Sequence, residues 1–255
     1  IVAEAMMDAI ARKVGKDPLT ARKLNLYGDK ERNLTPYGMT VEHNLLGDLI
    51  ARLEASSDYW ARREAITQFN KTSPIVKKGL SLTPVKFGIS FTAKHLNQAG
   101  ALLHVYTDGS MQINHGGTEM GQGLHTKIGQ IVANEFGVSL HDVEVTATRT
   151  DKVPNTSPTA ASSGTDLNGK AAQNACIIVK QRLAEFYAET IDESELTADK
   201  VIFADNYVTL GPHSVEFVRL VQDAYIGRVS LSSTGFYKTP KIHYDRSTGN
   251  GRPFF

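Results

Sequence analysis

Residues 115–125, HGGTEMGQGLH, place four glycines and two histidines in eleven positions. Glycine admits positive φ and lets a ligand come close to the backbone, and amides at the start of a helix present N–H groups to an anion. The spacing G-G-x-x-x-G-x-G departs from the GxGxxG dinucleotide fingerprint, and no Lys-Ser/Thr pair follows as in a phosphate-binding loop. His-Glu-x-x-His, which sets two zinc ligands one helical turn apart, is absent from this stretch as well. Two readings stay open: a plain turn between two elements, or a seat for an anionic or oxygen-rich ligand. A second segment, TDKVPNTSPTAASSGTDLNG at 150–169, is almost free of large apolar groups. It is either a mobile loop or a backbone-rich ligand surface. Cys176, the one cysteine, lies in AAQNACIIVKQ and reads as a small buried helix residue. A single cysteine excludes an intrachain disulfide framework and a cysteine-rich iron–sulfur or zinc site within this chain.

The elements around these segments follow from pattern. VYTDGSMQIN reads as a hairpin, with 105–107 and 111–113 as short strands around Asp-Gly. Leu124, Ile128, Ile131, Val132 and Phe136 recur at helical spacing, so the glycine segment lies between a strand and a helix N-terminus. Upstream, Val2, Ala5, Met6, Ala9 and Ile10 form one helical stripe. DPLTARKLNLYG offers Asp17 as cap, Pro18 at the first helical position and Gly28 as stop. Two further helices are expected at 42–53 and 58–69. Beyond Lys78 strand-like runs appear at 84–92 and 101–107, and again at 142–148, 201–203, 207–210 and 227–232. Asp166 is expected to cap a helix running to about Ala188, and another helix is expected around 215–224. No internal repeat is visible. The fold class expected is α+β, two-lobed and mixed, with a mainly helical part over 1–77 and an α+β lobe over 78–255.

A length of 255 residues suffices for a substantial core, and 41% hydrophobic with 22% charged residues is a globular balance. The net charge of +1 leaves no electrostatic footprint for nucleic acid. No run is long and apolar enough for a membrane span, and Glu4 and Asp8 interrupt any signal-peptide pattern. The cytoplasm is the expected compartment. Both ends are abrupt, with helix from Ile1 and an apolar close in GRPFF, and either part of a longer polypeptide or a processed chain is expected.

KFGISFTAKHLNQAGALLHVYTDGSMQINHGGTEMGQGLHTK, VPNTSPTAASSGTDLNG and SLSSTGFYKTP, in this order, resemble the molybdenum-binding part of the xanthine dehydrogenases, a branch of the molybdenum hydroxylase family. The likeness covers essentially the whole chain. It implies a molybdenum-pyranopterin (molybdopterin) cofactor, held without a protein ligand to the metal, and hydroxylation of hypoxanthine and xanthine to urate with oxygen from water. It also implies [2Fe–2S] clusters, FAD and NAD as electron carriers in other domains or subunits, an oligomeric assembly and the rest of the molybdenum domain as a partner.

By position, the resemblance makes Gln122 a neighbour of the pterin and its phosphate, with Met120, Gly121 and Gly123 completing that wall. Thr159, Ala160, Ala161, Ser162 and Ser163 match the second cofactor-facing loop. Phe91 and Tyr37 match the two aromatics that flank the substrate ring, although a phenylalanine is usual at the second place. Without the family, Phe91 reads as a core strand residue. Asp108, Lys127, His115 and His125 read as turn, surface and packing groups. The family's general-base glutamate falls shortly beyond GRPFF, and its substrate-orienting arginine and second pocket glutamate fall before Ile1. No catalytic residue is therefore assigned here, and the fragment alone is expected to be inactive. The rivals are an aldehyde or N-heterocycle hydroxylase, and a non-catalytic scaffold whose two loops would share no cavity.

Overall fold

The structure, a computed structural model, describes residues 1–152, 156–191 and 193–253. Val153, Pro154 and Asn155 of the serine-rich segment and the closing Phe254 and Phe255 lie outside the described residues. Contacts divide the chain into two compact units, Ile1–Phe87 with Asp245–Arg252, and Gly88–Tyr244 with Pro253.

The first unit carries four helices: α1 (Val2–Lys13), α2 (Pro18–Leu24), α3 (Leu46–Ser56) and α4 (Tyr59–Thr72). Asp17 caps α2 as its position demands, accepting from the Leu19 N–H at 2.8 Å. The helix stops before Gly28, at Asn25, whose amide donates to the Ala21 carbonyl at 2.8 Å. α3 starts later than the hydrophobic spacing indicates, where Asn44 Oδ1 accepts from Leu46 N–H. The apolar stripe of α1 is exposed, and Ala11 is the residue that α1 buries. What fixes α1 on α2 is charge: buried Arg22 reaches Glu4 at 2.5 Å and Asp8 at 2.7 Å. Leu19, Ile50, Tyr59 and Leu82 form the core of this unit. Residues 84–92 form no strand. Their alternating apolar residues find no sheet, and Val85 and Phe87 stay exposed.

In the second unit, β1 (Gln98–Val105) and β2 (Met111–His115) form the expected hairpin, with Val105 opposite Met111. β1 alternates strictly, burying Ala99, Ala101, Leu103 and Val105. β3 (Val143–Val145) runs parallel to β2, and β7 (Ser232–Lys238) runs antiparallel to β1, giving the order β3-β2-β1-β7. α5 (Leu124–Phe136) and the long α6 (Gly164–Ile191) pack on this sheet and on each other. A second antiparallel sheet holds β4 (Ile202–Ala204), β5 (Tyr207–Leu210) and β6 (His213–Glu216), followed by α7 (Phe217–Ile226). Phe136 ties the parts together, its ring 6.3 Å from that of Phe203 and 5.7 Å from that of Phe217.

Several expected boundaries move. Asp166 sits inside the first turn of α6, and it is the Ser163 carbonyl that accepts the first helical bond, from Leu167 N–H at 2.9 Å. Val215 belongs to β6, so α7 begins at Phe217, after a hairpin that the sequence did not announce. Gly227 ends α7, and the strand expected from there begins only at Ser232. The mixture of helices with small antiparallel and mixed sheets is the α+β class expected.

Candidate functional site

The glycine segment leaves β2 at His115 and enters α5 at Leu124, as its flanks require. Its glycines divide into two kinds. A Cβ on Gly116 would sit 1.9 Å from Thr156 Oγ1, and one on Gly117 would sit 2.5 Å from Leu124 Cδ2, so this pair permits close packing. Gly121 and Gly123 have φ of +95° and +74° and open space where a Cβ would be. They serve the turn and leave its outer face clear.

The second loop meets the first. Thr118 N–H donates to Thr159 Oγ1 at 2.8 Å, across a separation of forty-one residues. Thr148 Oγ1 donates to the Gly117 carbonyl at 2.6 Å on the inner side. Between the loops lies a cleft of about 350 Å³ lined by Met120, Gln122, Leu124, Lys127, Thr159, Ala160, Ser162, Gly164 and Thr165. The scaffold reading required loops without a shared cavity, and here they share one.

Five of the sequence-chosen residues thus meet in one cleft: Met120, Gln122, Thr159, Ala160 and Ser162. Gly121, Gly123, Ala161 and Ser163 belong to the same loops without lining it. Ser163 is buried, with its hydroxyl donating to the Ala160 carbonyl at 2.9 Å. Ala161 and Ser162 are the central residues of a turn closed by Ser163 N–H on Ala160 O, with φ of 52° and 55°. Left-handed backbone in two successive non-glycine residues costs roughly 1–2 kcal/mol each, so surrounding contacts must hold this turn. Lys127, expected as a surface group, is a cation on the cleft wall, and Leu124, Gly164 and Thr165 are further lining residues that sequence reading missed. The spacing of α5 carried the signal for Lys127, since it falls in the first turn after the loop.

The loop satisfies most of its own polar groups. Gln122 Oε1 accepts from Met120 N–H at 2.5 Å, and its Nε2 donates to the Thr118 carbonyl at 2.8 Å. Glu119 accepts from Gly121, Gly123 and His125 N–H groups, and these bonds, that from His125 foremost, hold its carboxyl below the usual range. The helix end that looked open to an external anion is therefore closed by an internal one. Beneath the loop, His115 Nδ1 accepts from Gly117 N–H at 3.0 Å, and its ring stands 5.2 Å from that of His125. Burial, and then the neighbouring His125, push His115 down to about 4.

Phe91 is half-buried in irregular chain, not in a strand. Buried Asn97 holds it from both sides: Oδ1 accepts from Phe91 N–H at 2.7 Å, and Nδ2 donates to Phe91 O at 3.0 Å. Nothing in its local sequence marked Asn97 as this clamp. Tyr37 lies in the first unit, where its hydroxyl accepts from Lys86 Nζ at 3.1 Å and its carbonyl from Gly251 N–H at 2.9 Å. Asp108 is the turn residue expected, accepting from the amide and hydroxyl of Ser110, and these bonds lower its pKa.

The family described as the molybdopterin cofactor-binding domain matches residues 52–255. The chain belongs to this family. As a molybdopterin cofactor-binding domain it is closely related to the xanthine dehydrogenases. It is 42% identical to the xanthine dehydrogenase/oxidase of Gallus gallus and to the xanthine dehydrogenase of Dictyostelium discoideum. Each of these matches takes in 100% of this chain and 17% of the relative, so the chain spans about a sixth of their length. Among solved structures, the quinoline 2-oxidoreductase of Pseudomonas putida superposes with a TM-score of 0.73 at 18% identity, over 98% of this chain and 35% of the other. The aldehyde oxidoreductase of Desulfovibrio desulfuricans gives 0.62 at 16%, over 98% and 24%. These two likenesses concern the fold.

The cleft suits the group that names the family. A pterin is rich in acceptor and donor atoms, and the walls offer the hydroxyls of Thr159, Ser162 and Thr165, the Gln122 amide and the Lys127 ammonium. The open faces of Gly121 and Gly123 leave room for close approach. Among the described residues no three His, Cys, Asp or Glu side chains converge as metal ligands.

Proposed function

We propose that the protein is a purine-hydroxylating molybdenum enzyme of the xanthine dehydrogenase type, and that this chain forms the cofactor wall of its active site. The observation that carries the residue assignment is the Thr118–Thr159 hydrogen bond, which joins two loops far apart in sequence around one cleft. A bound molybdenum-pyranopterin would supply two-electron oxidation of a purine carbon with oxygen from water, taking hypoxanthine to xanthine and xanthine to urate.

The chain's own residues would bind and orient. Gln122 has one amide N–H left for an acceptor on the pterin, while Met120, Gly121 and Gly123 give it backbone to lie against. Thr159, Ala160 and Ser162 form the facing wall, and Ala161 and Ser163 set the turn that presents it. Phe91 would present a ring face to the planar substrate. Among the described residues no Asp, Glu or His lines the cleft, and proton removal is assigned to none of its lining side chains. [2Fe–2S] clusters, FAD and NAD would be held by other domains or subunits of an oligomeric, cytoplasmic enzyme and would supply its electron-transfer chemistry. No helix among the described residues is long and apolar enough to cross a membrane.

The test is the full-length protein, purified, with pterin and molybdenum measured and turnover compared among hypoxanthine, xanthine, an N-heterocycle and an aldehyde. Bound pterin with urate as product is expected. Phe91→Ala should lower purine kcat/KM several-fold, the size of a lost stacking contact. Preference for the aldehyde or heterocycle would move the protein to another branch, and absence of pterin would sink the reading.

A further inference from the structure

Glu119 is exposed, yet three backbone donors converge on its carboxylate. Oε1 accepts from Gly121 N–H at 2.8 Å and Gly123 N–H at 3.0 Å, and Oε2 accepts from His125 N–H at 3.1 Å. The first residues of a helix have amides with no partner inside it, and their partial positive charge would otherwise meet water or a ligand anion. Here one side chain takes that place and at the same time bridges both left-handed glycines. Within this ring Gln122 is fixed at both ends of its amide, by Met120 N–H and Thr118 O. Thr118 in turn is anchored to Thr159 on the opposite wall.

We propose that Glu119 is the positioning residue of the cofactor wall. Its carboxylate closes the N-terminus of α5, sets the Gly121–Gly123 turn, and thereby holds the Gln122 amide in one orientation before the cofactor arrives. The proposal rests on the reading of the cleft as the pterin site. It follows that the helix end is no anion seat in this protein, because a second negative charge there would meet Glu119. A neutral amide cannot replace the carboxylate fully. Glutamine keeps one acceptor oxygen for the glycines but turns an NH2 group toward His125 N–H.

The experiment uses the full-length protein as wild type, Glu119→Ala, Glu119→Gln and Glu119→Asp. Hydrogen exchange of peptides covering 118–126, pterin content per chain and the thermal midpoint are measured for each. In the alanine and glutamine variants, loop exchange should rise about ten-fold or more and pterin content should fall several-fold, with exchange elsewhere and the midpoint little changed. Aspartate, which keeps the charge on a shorter arm, should restore part of both. Wild-type exchange and pterin content in Glu119→Ala would overturn the proposal. So would losses as large in Glu119→Asp as in Glu119→Ala with a fall in the midpoint, which would mark a purely structural role. Wild-type protein without pterin would overturn the cofactor reading instead, and the exchange data separate that failure from one of Glu119 itself.

Discussion

The hydrogen bond from Gly117 N–H to His115 Nδ1 dictates where the imidazole carries its proton. With Nδ1 accepting, the neutral ring is protonated at Nε2, a buried atom with no partner among the described residues. A second proton would have to go on the nitrogen already used as acceptor, inside a site with His125 beside it, and His115 accordingly stays neutral down to about pH 4. In the unfolded chain the same ring takes up its proton near the ordinary value of 6.5. The unfolded state therefore binds the proton first, and stability falls as pH drops. His115's contribution is fully present above about pH 6.5 and is lost progressively towards about pH 4, for at most about 3 kcal/mol. His115→Asn places an oxygen where Nδ1 accepts and removes the titration. Denaturant unfolding of this variant should lose that slope between about pH 6.5 and pH 4 relative to wild type, and an unchanged slope would place the acid sensitivity in the carboxylates. Cys176 behaves oppositely: burial pushes its thiol up to about 12, in agreement with the inert helix residue that the sequence indicates.

Between elements, α6 and β7 come into close approach at Gly235. A Cβ on Gly235 would lie 2.0 Å from the Ala171 carbonyl oxygen and 2.5 Å from Ala175 N, both backbone atoms that cannot turn aside. Ala171, Ala172 and Ala175 are fully buried, so α6 presents small residues to a strand that has no side chain at the crossing, Gly235. Gly235→Ala should cost about 2–3 kcal/mol, the range of overpacking in a closed core. It should be read as a lower unfolding midpoint with the m-value unchanged, and a neutral effect would mean that the sheet and helix yield easily. This contact also shows where sequence reading stops. α5 was legible because Leu124, Ile128, Val132 and Phe136 announce a single buried face. β7, SSTGFYK, has little strand character of its own, and its pairing with β1 together with the Gly235 crossing makes it a strand. The run at 84–92 alternates well and is no strand, since alternation without a neighbouring strand buries nothing. The same holds for the site. Its two loops were picked out by resemblance and composition, whereas Asn97 and Glu119 act on backbone N–H groups and Thr118 through its own N–H, bonds that no residue pattern encodes.

At the scale of the whole molecule, the two units differ sharply in what holds them. The second has one continuous cluster of buried side chains running from Ala99 on β1 through α5 and α6 to Ala224 on α7. The first relies on Leu19, Ile50, Tyr59 and Leu82, with the Arg22 ion pairs fixing α1 on α2. Each fully buried large apolar side chain is worth roughly 1.5–3 kcal/mol, so the shorter set leaves much less to offset the entropy of ordering four helices. The ion pairs hold α1 on α2 locally but add little to the unit's total, because Glu4 and Asp8 are partly exposed and screened by solvent. Moreover, Val2, Met6 and Ile10 on α1 leave their apolar surface in water within this chain. Cooperativity should accordingly break between the units. In the 255-residue chain, hydrogen exchange of α1 and α3 should run about a hundred-fold or more faster than that of β1, α5 and the middle of α6, and thermal unfolding should show an early phase confined to the first unit. Arg22→Met should speed exchange in α1 and α2 and leave α5 and α6 at wild-type rates. A single transition with uniform protection, or equal acceleration of exchange in all these helices by Arg22→Met, would show that the two units fold as one.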